Sequence, residues 1–361
     1  MAWPSWLPLR DSLRPLSPYG APQVPARAAL NTNENPYSPS PALQKAITDA
    51  VAKVASDLNR YPDRDATVLR TKLADYINEQ SGTKFSADNL WAANGSNEII
   101  QSIFLAFAQG SVLGFTPSYS MHPLIAKVTG SSWIDGKRNA DFSLNTADAV
   151  AEIQKHKPTL TFITTPNNPT GGAVTIDSIQ MLADAAKSVG GLLVVDEAYA
   201  EFSQEISAVT LIANNPHVIV IRTMSKAFAF AGARVGYLVS DVSVKDAMMI
   251  VRLPYHLSAL TQAAAVVAID HRAELLGGVS TLIAARTHVV QALHDMGLAT
   301  IPSSANFVLF TGFKQDAPQL WAALLEKGVL IRDVGLSGYL RVTIGNEAEN
   351  TLFISALKEL I

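Results

Sequence analysis

Apolar positions along this chain switch between two periods. Leu160-Thr161-Phe162-Ile163-Thr164, Leu192-Leu193-Val194-Val195 and Val218-Ile219-Val220-Ile221 are continuous runs rich in β-branched residues. Runs of this kind form strands buried on both faces of a parallel sheet. Val112–Phe115 reads the same way. Between the runs, apolar residues recur at helical spacing: Leu43, Ala46, Ile47, Ala50, Val51 and Val54; Ile99, Ile100, Ile103, Phe104 and Phe107; Ile176, Ile179, Leu182, Ala183 and Ala186. Such stripes predict helices that turn one face to a core. Strand and helix therefore alternate, and the fold class is α/β.

The pattern changes after Arg252. Long helical stretches at 258–271 and 281–296 are followed by short strands around Asn306–Phe310, Val329–Arg332 and Leu340–Ile344, which predicts a separate, smaller α+β part. At the other end, proline crowds the residues up to about Pro41. Proline resists helix interiors and central strands, so this segment reads as an extended arm.

Composition narrows the possibilities. With 361 residues, 48% hydrophobic and 16% charged, the chain can bury one large core and a smaller one. A net charge of −3, with its 28 Lys and Arg spread out, gives no electrostatic case for nucleic acid or an anionic membrane. Cysteine is absent, which removes disulfides and thiolate chemistry. The start, Met1 to Arg10, lacks a cationic segment followed by a long apolar stretch, and no run reaches transmembrane length, so the expected location is the cytoplasm. The seven histidines show no ligand spacing, and no metal site is expected.

Candidate chemistry gathers where three of the strands end. Lys226 follows Val218–Ile221; Asp196 and Tyr199 follow Leu192–Val195; Asn168 follows Leu160–Thr164. Ligands in open α/β sheets bind at this rim. Ser225 and Arg234 offer a hydroxyl and a fixed cation for a phosphate, and Gly232 and Gly236 allow close backbone approach. A lysine able to form a Schiff base, an acid, an amide and a phenol are what pyridoxal phosphate chemistry requires. Gly95-Ser96-Asn97 opens the helix through Ile99, with Ser96 as a helix cap or its free N–H groups as a phosphate site. Arg341 interrupts an apolar strand with a permanent cation that needs an anionic partner, either a substrate carboxylate or Asp333 or Glu347.

Pro166-Asn167-Asn168-Pro169-Thr170-Gly171, Asp196-Glu197-Ala198-Tyr199, Ser225-Lys226-Ala227-Phe228 and Gly232 to Tyr237, in this order and spacing, resemble the class II, fold-type I aminotransferases over nearly the whole chain. The resemblance implies a large domain, residues 41–252, with a mostly parallel seven-stranded sheet between helices. A smaller α+β domain would combine 1–40 with 253–361. It also implies pyridoxal 5'-phosphate on Lys226, with Asp196 at the ring nitrogen and Asn168 and Tyr199 at the ring oxygen. Tyr119 would lie against the ring, while Gly95, Ser96, Asn97, Thr223, Ser225 and Arg234 would surround the phosphate. Tyr61 would reach the phosphate of a neighbouring subunit, making a homodimer with shared sites, and Arg341 would bind the substrate carboxylate.

Asn31 to Tyr37, Ser118 to His122 and Arg252 to Ser258 are similar to segments of the histidinol-phosphate aminotransferase family. That resemblance implies exchange of an amino group between histidinol phosphate and glutamate, in histidine biosynthesis. It places Tyr19, Asn33, Asn97, Tyr255 and Arg332 around the substrate, although the segment from Asp333 to Leu340 is compact for the family. The amine of Lys226 would act as general base, kept neutral by an enclosed site and Arg234. Two rival readings share the scaffold: an aromatic aminotransferase and a pyridoxal-dependent phospho-amino-acid decarboxylase.

Overall fold

The computed structural model describes residues 3–361. Its first half runs β1 (Ala28–Ala29), α1 (Pro41–Ala55), α2 (Thr67–Ser81), β2 (Leu90–Ala93), α3 (Ser96–Phe107), β3 (Ser111–Thr116), α4 (Met121–Thr129), β4 (Ser132–Lys137) and α5 (Thr146–His156). Next come β5 (Leu160–Thr164), α6 (Ile176–Ser188), β6 (Leu192–Asp196), β7 (Val218–Thr223), β8 (Gly236–Val239) and α7 (Val242–Val251). The last part comprises α8 (Ala259–Asp270), α9 (Arg272–Asp295), β9 (Ala299–Thr300), β10 (Phe307–Thr311), α10 (Ala317–Glu326), β11 (Val329–Leu330), β12 (Arg332–Asp333), β13 (Leu340–Thr343) and α11 (Glu347–Leu360).

Seven strands form one sheet in the order β2-β8-β7-β6-β5-β3-β4. Only β8 runs against its neighbours. The sheet is covered on both faces, as the continuous apolar runs require. Val194, Ile219 and Ile221 pack with α3, α4 and α7 residues such as Ile100, Ile125 and Met248. The alternate residues Leu193, Val195, Val218 and Val220 pack with Leu73 of α2 and Ile179 of α6. This division follows the period-2 alternation of side chains along a strand.

A second, antiparallel sheet has the order β12-β13-β10-β9, and β1 of the arm pairs in parallel with β11. Three expectations need correction here. The run 329–332 is not one strand: Ile331 separates β11, which pairs with the arm, from β12, which pairs with β13. The helix expected from 281 begins at Arg272 and passes through Gly277 and Gly278, two residues whose high helical cost had masked its start. The apolar stripe of α1 buries only Leu43 fully. That helix packs on α8, so contact runs between an element of the expected large domain and one of the expected smaller domain. No helix among the described residues is long and apolar enough to cross a membrane.

Candidate active site

The parallel strands β5, β6 and β7 deliver Asn168, Asp196, Thr223 and Lys226 to one rim, where a cavity of about 600 Å³ opens. The arm contributes Tyr19 and Asn31 to Glu34, α3 contributes Ser96 and Asn97, and the second sheet contributes Arg332 and Arg341. Residues from four distant parts of the chain thus share one wall-to-wall space.

At its floor, Lys226 Nζ donates to the Thr32 carbonyl at 2.8 Å. Burial pulls the amine down to about 8, and the Arg341 guanidinium adds to the effect. Arg234, expected to be the neighbouring cation, contributes less than Arg341.

One side of the cavity is an anion cup. Gly95, at φ +81°, is the N-cap of α3; Ser96 is the first helical residue rather than the expected cap, and no side chain caps the helix. Uncapped N–H groups at a helix start carry partial positive charge and lack partners. Gly236 allows this approach, since a Cβ there would lie 2.4 Å from the Ser96 nitrogen. Gly95 itself lies behind the guanidinium of Arg234, which a Cβ would meet at 2.5 Å. Arg234 Nη1 donates to Ser225 Oγ at 3.4 Å, and the Ser225 N–H donates to Thr223 Oγ1 at 3.1 Å. Arg234 has no carboxylate partner among the described residues. A cation, two hydroxyls and an open helix start fit a phosphate.

Opposite the cup, the Asp196 carboxylate is buried, with Oδ2 3.1 Å from His122 Nε2 and Oδ1 accepting from the Ala198 N–H at 3.2 Å. Tyr199 Oη accepts from Asn33 Nδ2 at 2.8 Å and Asn168 Nδ2 at 3.5 Å. Tyr119 donates to Asn97 Oδ1 at 3.2 Å and meets the His122 ring edge-on. Burial raises the pKa of both phenols, so each stays a donor. His122 was not among the residues expected to act here. Its ring is fully buried against Asp196, 74 residues away in sequence. The available signal was its place one turn after Tyr119 at the start of α4. Amine, buried acid, ring-oxygen donors and phosphate cup together fit pyridoxal phosphate.

The remaining wall is cationic. Arg341 is buried, donating from Nη1 to Asn168 Oδ1 at 2.5 Å and from Nη2 to the Asn31 carbonyl at 2.8 Å, while its guanidinium carbon lies 5.1 Å from the centre of the Phe307 ring. Its Nε has no hydrogen-bond partner among the described residues. The alternative salt bridge to Asp333 or Glu347 does not form, and burial pulls the guanidinium down to about 10. Arg332 sits directly opposite Arg341 in the β12–β13 register and also faces the cavity.

Tyr61 and Tyr255 are not brought to this cavity within one chain. They stack on each other, ring centres 4.4 Å apart, on the surface, with Tyr61 80% exposed. Tyr255 was expected beside Tyr19, Asn97 and Arg332; within one chain it lies in the turn after α7, at φ +56°, and stacks on Tyr61.

A family profile described as aminotransferase class I and II matches residues 28–357. The chain belongs to this family. A curated relative from Mycolicibacterium vanbaalenii, a histidinol-phosphate aminotransferase, is 54% identical over 97% of this chain and 95% of its own length. Another with the same name, from Mycobacterium avium, is 52% identical over 98% of this chain and 89% of its own. Among solved structures, the histidinol-phosphate aminotransferase from Sinorhizobium meliloti, in complex with pyridoxal-5'-phosphate, superposes with a TM-score of 0.84 at 24% identity, covering 98% of this chain and 97% of that one. It shares the fold.

Proposed function

We propose that this protein is a pyridoxal phosphate-dependent histidinol-phosphate aminotransferase of histidine biosynthesis, exchanging an amino group between histidinol phosphate and glutamate. The observation that carries this reading is the pair Arg332 and Arg341 on one cavity wall, without carboxylate partners among the described residues, above an amine whose pKa is lowered to about 8. Two anionic substrates, a phosphate ester and an amino acid, suit two guanidiniums. The curated relatives at more than half identity favour this over the aromatic aminotransferase and decarboxylase readings.

Bound pyridoxal phosphate supplies an electron sink that makes the substrate's Cα hydrogen acidic. Lys226 Nζ, its pKa lowered to about 8 by burial, is placed to take that proton and return it. Asp196, backed by His122, would hold a proton on the ring nitrogen of the bound group, and Asn168 and Tyr199 would orient its ring through the phenolic oxygen. Tyr119, on the cavity wall, would pack on the ring face. Gly95, Ser96, Asn97, Thr223, Ser225 and Arg234 would hold the phosphate. Arg341 receives the glutamate carboxylate, and Tyr19, Asn97 and Arg332 receive the substrate phosphate, with Asn33 positioning Tyr199.

The assembly belongs to the same proposal. Tyr61 and Tyr255 would complete the site of a second copy in a homodimer, because an exposed aromatic stack beside Leu253 and Ile250 is costly to leave in water. Residues 41–252 would form the cofactor domain, and 1–40 with 253–361 the smaller one, in a cytoplasmic enzyme without nucleic acid or membrane partners. The test is a half-reaction: add glutamate or histidinol phosphate to the loaded enzyme and follow the visible absorbance. Both should discharge it. Faster reaction with phenylalanine than with histidinol phosphate would overturn the substrate assignment in favour of the aromatic one.

A further inference from the structure

Behind the cavity, on the opposite face of the sheet from Asp196, lies a buried charged cluster that the mechanism above does not use. Arg222, the residue before Thr223 on β7, donates from Nε to Glu197 Oε2 at 2.9 Å, from Nη1 to Glu201 Oε1 at 3.0 Å and from Nη2 to Ser207 Oγ at 2.9 Å. All three charged side chains are about 97% buried. Glu197 also accepts from Ser207 Oγ and the Ala208 N–H, both at 2.7 Å, and Glu201 accepts from Tyr76 Oη at 3.2 Å.

Position gives the cluster its meaning. Glu197 and Glu201 lie on either side of Tyr199, in the turn that follows Asp196 and closes with a short helical turn, Ala200–Phe202. Arg222 therefore grips the chain directly after Asp196 and again just past Tyr199, the two residues presented to the cavity. Its own strand ends at Thr223, and the chain runs on directly through Ser225 to Lys226. The backbone repeats the link once, where the Glu197 N–H donates to the Ile221 carbonyl at 2.9 Å. One guanidinium thus ties the strand that carries the amine and phosphate donors to the turn that carries the acid and the phenol. Removing one partner of a buried ion pair is costly, but replacing a whole buried pair or triad by well-packed hydrophobic residues is often neutral or stabilising, so stability alone is a weak reason for the cluster.

We propose that Arg222, with Glu197 and Glu201, is a positioning cluster that sets the spacing between Asp196 and Tyr199 on one side and Lys226 on the other. This rests on the reading of the cavity as a pyridoxal phosphate site, and the wild type tests that reading separately: it must show a visible cofactor band that glutamate discharges. Without that band the enzyme assignment fails, whatever the variants do.

Given the band, Arg222→Met in the loaded enzyme should lower the glutamate half-reaction rate by about tenfold or more, with glutamate affinity changed by less than about twofold. The pH midpoint of the cofactor band should move as well. In the cofactor-free protein, hydrogen exchange should quicken at 196–201 and not at α6. Arg222→Lys should recover part of the rate, since an ammonium can reach one carboxylate but not both with a fork. A folded Arg222→Met with wild-type rate, midpoint and exchange overturns the proposal. Should that variant not fold, Glu201→Gln decides, because it keeps the shape and leaves Glu197 in place. A drop in rate with faster exchange at 196–201 supports the cluster's role, and wild-type behaviour in both overturns it.

Discussion

Lys226 donates to the carbonyl of Thr32 at 2.8 Å, although 194 residues separate them. The amine is thereby held at the cavity floor, close to the Arg341 cation that helps to lower its pKa. In the cofactor-free protein, acylation of Lys226 followed by mass spectrometry should titrate with a midpoint near 8. Arg341→Met should move the midpoint upward, because removing a neighbouring cation favours the ammonium. A midpoint near 10.5, the ordinary lysine value, would refute this.

Borohydride reduction of the loaded protein should leave the pyridoxyl group on Lys226 and on no other lysine. Lys226→Ala should lose the visible band of lysine-bound cofactor and all turnover. Peptide mapping that finds the label elsewhere removes the assignment.

Asp196 and His122 should behave as a graded pair. Asp196→Asn removes the charge facing the ring nitrogen and should cost about a hundredfold or more in the half-reaction. His122→Gln loses one charge-assisted bond, about 1.5–3 kcal/mol, which corresponds to roughly ten- to a hundredfold. Stopped-flow rates that rank His122→Gln below Asp196→Asn would contradict the arrangement.

Mixing Tyr61→Ala with Lys226→Ala should restore part of the activity if sites are shared, since each hybrid dimer contains one site with wild-type Lys226 and wild-type Tyr61. Sedimentation showing an active monomer would rule out the shared site.

Substrate choice should divide along the cationic wall. Arg341→Ala should harm the glutamate half-reaction most, while Arg332→Ala and Tyr19→Phe should harm histidinol phosphate most, each by about ten- to a hundredfold in kcat/KM. Equal losses for both substrates in every variant would show that the two anions are not bound by separate groups.

Much of this was legible in the chain. Leu160–Thr164 and the strands ending at Asp196 and Thr223 stand where the apolar runs placed them, because strands covered on both faces must be apolar throughout. The residues at their ends followed automatically. The break at Ile331 was not readable, since a four-residue run does not reveal that its halves pair with different partners. His122 and Arg222 were hidden for a related reason. Each acts through a residue distant in the sequence, and Arg222 sits inside β7, a strand otherwise mostly apolar, where a charge looks like an interruption rather than a link. Tyr255 could not be placed from the chain alone, because within one copy its ring stacks on Tyr61 at the surface, outside the cavity.

The carbonyls of two adjacent arm residues, Asn31 and Thr32, are held by Arg341 and Lys226 respectively. The arm is thus part of the same machine as residues far down the chain, and tolerance to substitution should not follow distance along the sequence. A saturation scan would find residues 31–34 about as intolerant as positions 226 and 341, while Val24, a few residues earlier and 42% exposed, would accept almost anything.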